Sequence, residues 1–222
     1  GLSLYVLIKD KTNNTGIRDV KIKVTDNFTG KTDSILTPEG GDFRLPVAGK
    51  TIGSRLSYNI TFEKKGYLAK TITYNAPIEK EGEILIDEKL DAISVGLDLA
   101  KIIDIKPIYF DLGKSVIRPD AAIELDKVVK VMNENPNMII ELGSHTDCRG
   151  SITSNAALSD KRAKASAEYI KKRITNPERI YGKGFGESQL ANGCQCEGAV
   201  KSSCPEEEHQ KNRRTEFKII KM

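Results

Sequence analysis

The chain has 222 residues, 38% of them hydrophobic and 30% charged, with seven Tyr, six Phe and no Trp. That is enough apolar material for a core and too much for a disordered chain, and at ~100–200 residues per domain it makes one large domain or two small ones. The formal charge is +4: residues 1–105 set 15 basic against 15 acidic side chains and residues 106–222 set 20 against 16, interleaved rather than in the one-sign stripe of a nucleic-acid binder, so nucleic acid is not expected as a partner.

No apolar run approaches the ~20 residues that span a bilayer. The opening Leu2-Ser3-Leu4-Tyr5-Val6 has no basic segment before it and no cleavage site after it. It reads as a start inside a longer protein, not as an export signal.

Residues 1–74 read as β. Tyr5–Ile8, Val20–Val24, Arg55–Phe62 and Thr71–Tyr74 are strand-like, the second and third alternating apolar with polar residues. Asn13-Asn14-Thr15-Gly16, Asn27-Phe28-Thr29-Gly30 and Glu39-Gly40-Gly41-Asp42 are turns. This rhythm predicts a small antiparallel sandwich over 1–90. Residues 91–106 are expected to be a linker, with Ile84–Ile86 and Asp98–Ile103 open between short strands and an interdomain connection.

From Pro107 the pattern turns β/α. Ile108–Phe110 reads as a short strand. Pro119 suits a first helical turn, and Ala122, Leu125, Val128, Val129 and Met132 form a helical stripe ending near Asn135-Pro136. Met138–Leu142 reads as a buried strand, Asn155–Arg173 as a second helix with Ala163, Ala167, Ile170 and Ile174 on one stripe, and Ile180–Gly184 as a third strand. A cysteine-bearing loop over about 187–205, a short polar helix and a strand over Thr215–Ile220 close the chain. The fold class is therefore α+β.

Cys148, Cys194, Cys196 and Cys204 are the four cysteines. An even count clustered in a loop reads as disulfides in an oxidising compartment or as a metal site. The spacing lacks the paired C-x2-C knuckles of zinc sites; a metal held by Cys194, Cys196, Cys204 and either Cys148 or His209 stays open from the residues alone, and the cell-envelope resemblance given below is what favours disulfides and no metal. Cys194 and Cys196 are too close to bond each other, and Cys194–Cys204 with Cys148–Cys196 is the favoured set.

The block that carries chemistry is Ser144-His145-Thr146-Asp147, Gly150 and Asn155 to Ala163. Asp147 falls where a strand ends, and Arg162 about two turns into the next helix, away from its alanine stripe. A carboxylate, a guanidinium and the free amides of a helix start make a receptor for a zwitterion: the Asp takes an ammonium, the Arg and the amides a carboxylate. The competing possibility is that Asp147 and Arg162 only pair with each other across a loop rim. Catalysis is not expected. Cys148 and Ser151 near His145 lack an orienting partner, and Glu141 falls in a core strand without a second carboxylate across a groove.

Five motifs over residues 107–222 carry a resemblance: Ile108-Tyr109-Phe110-Asp111; Gly143-Ser144-His145-Thr146-Asp147-x-x-Gly150; Asn155-x-x-Leu158-Ser159-x-x-Arg162-Ala163; Gly184-Phe185-Gly186-Glu187; and Asn212-Arg213-Arg214-Thr215-Glu216-Phe217. In this order they resemble the peptidoglycan-binding domain of OmpA, Pal and MotB proteins. The resemblance implies a βαβαβ domain over 107–222, with a mixed sheet and helices on one face. It implies non-covalent binding of peptidoglycan through the diaminopimelate of its stem peptide, with Asp147 and Arg162 holding that group. Thr146, Asn155, Leu158, Lys114 and Arg214 match positions near the same pocket, and Gly113 stands where family members often carry Asp or Asn. No cofactor is implied.

Gly16-Ile17-x-Asp19-Val20-x-Ile22-x-Val24 and Lys65-Gly66-Tyr67 resemble a carboxypeptidase-regulatory sandwich. A sandwich followed by this domain, with the loop Cys194-Gln195-Cys196-Glu197-Gly198, is similar to PorE-type lipoproteins of the type IX secretion machinery of Bacteroidetes. That resemblance implies a periplasmic, outer-membrane-associated anchor with further domains and a lipid upstream. It also implies outer-membrane or periplasmic protein partners, docked through the sandwich or those upstream domains. The alternative is the peptidoglycan anchor of a different envelope complex.

Overall fold

Strand β1 (Leu2–Asp10) turns Leu4, Val6 and Ile8 fully inward and leaves Tyr5 and Leu7 on its outer side, as a half-buried strand requires. The computed structural model describes residues 1–222, and the chain divides into two units, Gly1–Ile93 and Ser94–Met222.

In the first unit, β2 (Lys21–Asp26), β3 (Thr32–Leu36), β5 (Arg55–Glu63) and β6 (Lys70–Pro77) form an antiparallel sheet in the order β3-β2-β5-β6. A second sheet has the order β4-β1-β7, with β4 (Asp42–Val47) and β7 (Gly82–Leu90) at its edges. One core joins the two sheets: Leu4, Val6 and Ile8 meet Ile22, Val24, Leu56, Ile60 and Phe62. The sandwich is not wholly antiparallel as expected, because β7 runs parallel to β1, from Leu2 opposite Gly82 to Asp10 opposite Leu90. Residues 84–86, left open by the sequence, belong to this strand, and Ile86 and Leu90 are buried in the core. At the turn before β4, Gly41 has φ +73°, and a Cβ there would lie 2.4 Å from the Ile8 carbonyl oxygen, so only glycine lets this turn sit against β1.

The expected linker over 91–106 is a correction. Residues 91–93 stay with the first unit, where the Ile93 N–H donates to the Gly66 carbonyl. Residues from Ser94 fold into the second unit. The Gly96 N–H donates to Ile219 O at 2.8 Å, the Ile219 N–H to Leu97 O at 2.9 Å, and the Phe217 N–H to the Asp98 carboxylate at 2.9 Å. Leu99, in a short 3-10 turn, is fully buried.

The second unit runs α1 (Pro119–Glu134), β8 (Ile139–His145), α2 (Ile152–Lys171), β9 (Ile180–Gly186), α3 (Glu206–Asn212) and β10 (Thr215–Lys221). Its sheet has the order β10-β8-β9, with β8 parallel to β9 and antiparallel to β10. Helix α2 lies on β9 and β8, and α1 lies on α2. Ala163, Ala167 and Ile170 face Ile140, Leu142 and Ile180 in the core. The approach of α2 to β9 is close enough that a Cβ on Gly184 would meet the Asp160 nitrogen at 2.2 Å.

Ile108–Phe110 is not a strand. It makes no ladder, and the domain begins with α1 in place of the expected first strand. The outer edge of β10, where that strand would add, already exchanges hydrogen bonds with residues 96–97. Tyr109 and Phe110 instead line a cavity that Arg162, midway along α2, also borders.

Candidate functional site

At its C-terminal end, β8 delivers Thr146 and Asp147 into a turn. The Thr146 N–H donates to the Gly186 carbonyl at 2.9 Å, and its hydroxyl donates to the Asp147 carbonyl at 2.9 Å. Ser151 caps α2 by accepting from the Ser154 N–H, so the turn opens into a helix start as the sequence predicts. Asn155, one turn in, donates to the carbonyls of Asp147 and Arg149 and to Glu187. Asn155 thus holds the turn closed from the helix side.

Asp147 is buried, with 7% of its surface exposed, and is paired with two arginines. Oδ1 accepts from the Arg149 N–H at 2.8 Å and from Arg149 Nε at 3.3 Å; Oδ2 accepts from Arg149 Nη2 at 2.9 Å and from Arg213 Nη1 at 2.5 Å. Both guanidinium groups also bond Glu206, at the start of α3. Asp147, Arg149, Glu206 and Arg213 therefore close a ring of alternating charge. Burial alone would raise the Asp147 pKa, but the Arg149 and Arg213 bonds outweigh it and hold the carboxyl at about 2.

Arg162 does not join that ring. Its Nε donates to the Lys114 carbonyl at 3.0 Å and its Nη2 to the Asp111 carbonyl at 3.4 Å, and its guanidinium lies 5.0 Å from the Phe110 ring centre. The competing possibility, a mutual Asp147–Arg162 pair, is thus not what the structure shows. Lys114 contributes its backbone carbonyl. Gly113 has φ +67° with open space around its Cβ position, so it serves the 111–114 turn and offers no side chain. Leu158 is half-buried on α2.

Arg162, Arg213 and Arg214 meet at one cavity of about 110 Å³, with Tyr109, Phe110, Ser144 and His145 in its wall. Arg214 is held by Glu216 at 2.9 Å and by the Gln189 carbonyl at 2.8 Å. His145 stacks on Phe185, with ring centres 4.9 Å apart. Burial, then the nearby Arg214 charge, lowers its pKa to about 4, against the opposing pull of Glu216, so the imidazole is neutral at pH 7. Glu216 lies 3.5 Å from His145 Nε2 without forming a hydrogen bond. The cavity thus offers guanidinium donors over an aromatic floor, with the acidic ring beside it through Arg213. It can receive a small anion whose neighbouring group is a cation.

Both disulfides expected as the favoured set are present, Cys148–Cys196 and Cys194–Cys204. All four sulfurs are used, which leaves no thiolate to hold a metal. Arg149, Glu206 and Arg213 were not expected at the site. Arg149 falls on an unspecified position of the Asp147-x-x-Gly150 motif, and Glu206 sits 59 residues from Asp147 in sequence, so only the fold brings them together. The doublet Arg213-Arg214 was the one available signal.

Part of the chain is similar to a known family. Residues 109–202 match the OmpA family, a segment that includes Asp147 and Arg162 and ends before Glu206 and Arg213. The chain is 34% identical over 113 residues to photosystem I P700 chlorophyll a apoprotein A2 of Gloeobacter violaceus, covering 50% of this chain and 12% of that one. It is 25% identical over 203 residues to outer membrane protein A of Citrobacter freundii, covering 85% and 79%. It is 31% identical over 87 residues to the peptidoglycan-associated lipoprotein of Brucella melitensis, covering 39% and 52%. The chain therefore spans about half the length of the Brucella relative and a small part of the Gloeobacter one. No helix is long and apolar enough to cross a membrane.

Proposed function

We propose that residues 94–222 bind peptidoglycan non-covalently and anchor an outer-membrane-associated complex to the cell wall, without catalysing a reaction on it. One observation carries the reading: Arg162, from the OmpA-like segment, shares a single small cavity with Arg213 and Arg214 from beyond it, beside the Asp147 ring. The names of the Brucella and Citrobacter relatives point the same way.

The ligand we assign is the side-chain end of diaminopimelate, where an ammonium and a carboxylate share one carbon. Its carboxylate meets Arg162 in the cavity. Its ammonium exchanges with Arg213 on Asp147, whose oxygens are otherwise taken by guanidinium and amide donors. The exchange keeps one cation on the carboxylate, so Asp147 is never left buried and unpaired. Thr146 and Asn155 hold the Asp147 turn, the Lys114 carbonyl holds Arg162 and Gly113 lets the 111–114 turn form, Leu158 lies half-buried on the helix that carries Arg162, and Arg214 adds positive charge.

The sandwich, rich in turns and without a cluster of titratable groups in an apolar setting, is assigned to docking envelope protein partners or to spacing. The type IX secretion apparatus is the complex we assign, on the order of sandwich and OmpA-like unit and the cysteine loop. Sedimentation with purified sacculi tests the central step: the chain should co-sediment, and Arg162→Ala should stay in the supernatant. Cross-linking in cells, read by whether type IX components are captured, tests the complex.

A further inference from the structure

The two disulfides are not equivalent. Cys148 and Cys196 lie in the wall of a surface cavity of about 340 Å³, with Glu187, Gln189 and Gln195 beside them. Each pair joins one buried cysteine, Cys148 or Cys194, to one half-buried, Cys196 or Cys204, so the difference between them is the cavity, which neither Cys194 nor Cys204 borders. Within the first pair, Cys148 is 3% exposed and Cys196 is half-buried, so an incoming thiol meets the Cys196 sulfur first.

The two bonds also form one covalent path. It leaves the turn at Cys148, crosses to Cys196, passes through Gln195 to Cys194, crosses to Cys204 and reaches Glu206 through Pro205. Its first residue adjoins Asp147 and its last is the carboxylate that holds Arg149 and Arg213. The path therefore fastens the two sides of the Asp147 ring to each other. Without the Cys148–Cys196 link, β10 still pairs with β8 beside the turn, but the covalent route from the turn to Glu206 runs along the chain from Cys148 to Cys194 and across Cys194–Cys204, and the entropy of that loop opposes closing the Glu206 side of the ring.

We propose that Cys148–Cys196 is a thiol-exchange site, open to a small thiol or the thiolate of a dithiol reductase, and that opening it loosens the Asp147 ring and weakens ligand binding. In the step, the attacking thiolate bonds to Cys196 Sγ and Cys148 Sγ leaves as a thiolate and takes up a proton. A second thiol then attacks the mixed disulfide, so that two electrons pass from two thiols to the cysteine pair and one disulfide of the reductant is released. The binding half of this inference rests on the peptidoglycan reading above, and the exchange half does not.

The test titrates the whole chain with dithiothreitol, blocks free thiols with iodoacetamide, maps them by mass spectrometry and sediments the same samples with sacculi. Cys148 and Cys196 should be alkylated at lower reductant than Cys194 and Cys204. The protein reduced at that pair alone should lose about tenfold in affinity through lost preorganisation, and recover it on reoxidation. Cys148→Ser/Cys196→Ser should bind as the half-reduced chain does and ignore reductant. If that variant does not fold, the half-reduced wild-type chain, followed by circular dichroism, gives the same comparison. Opening of Cys194–Cys204 first, or equal sacculus affinity of the oxidised and half-reduced chains, overturns the proposal. If the oxidised chain itself fails to sediment, the peptidoglycan reading falls, and the order of opening still decides the exchange site.

Discussion

Asp147 and Arg162 stand in one site and do not bond each other. Asp147 is held by Arg149 and Arg213, while Arg162 is held by the carbonyls of Lys114 and Asp111. Each charge is therefore positioned by its own scaffold, and the function proposed above has a ligand with both signs of charge bridge the two.

The position of Asp147 sets the stability cost of removing it. A carboxylate at a loop rim can be removed at little cost. This one is buried and closes a ring with two arginines and Glu206. Asp147→Ala should lower stability by ~1–3 kcal/mol, because it strips two guanidinium groups of a buried partner. Urea denaturation at pH 7 measures it, and an unchanged midpoint contradicts the ring as a structural element.

The same carboxylate sets a limit on acid stability. Its folded pKa of about 2 lies below the ordinary value of 3.8. Its contribution is therefore complete above about pH 4 and is lost as pH falls towards 2. In Asp147→Asn the loss of stability between pH 4 and 2 should be shallower than in the wild-type chain. Parallel curves would mean that other carboxylates account for it.

His145 acts over a separate window. Its folded pKa of about 4 lies below the ordinary 6.5. Between those values the unfolded chain binds more protons at this group, so folding weakens as pH falls from 6.5 to 4, by up to ~1.4 kcal/mol per pH unit. His145→Phe keeps an aromatic ring against Phe185 and cannot titrate. Thermal melts from pH 7.5 to 4 should show a smaller slope for this variant, and an identical slope would contradict the assignment.

Gly184 tests the packing of α2 on β9. A Cβ there meets Asp160 backbone atoms at 2.2 and 2.5 Å, which helix and strand relieve only by moving apart. Gly184→Ala should cost ~1–3 kcal/mol. Gly193→Ala, with nothing within 4 Å of the added atom, serves as the neutral control. Equal stability of the two variants would contradict the close approach.

These relationships also show what the sequence made legible. The stripe from Ala122 to Met132, the alanines of α2 and the alternation in β2 and β5 place their elements because burial follows the helical and strand periods there. The edge strands β3 and β4 escape notice: Thr32–Leu36 exposes every second residue and half-buries the rest, and β4 carries Pro46. Edge strands bury too little for a clear pattern. Ile108–Phe110 misleads for the opposite reason. Its composition suits a strand, but residues 96–97 occupy the edge it would need. In the site, Asp147 and Arg162 were legible because a strand end and the helix after it fix both. Arg149, Glu206 and Arg213 were not, because their meeting depends on a long cysteine-bound loop whose path no local pattern encodes.

The most direct test of the account is calorimetric titration of the whole chain with three soluble stem peptides: one with diaminopimelate, one with its side-chain carboxylate amidated and one with lysine in its place. All three keep the ammonium, and only the first keeps the carboxylate assigned to Arg162. Losing one partner of a desolvated charge pair costs ~2–5 kcal/mol, so the diaminopimelate peptide should bind about thirtyfold or more tightly than the other two. Arg162→Ala should erase that preference. Equal affinity of the wild-type chain for all three peptides would contradict the assignment.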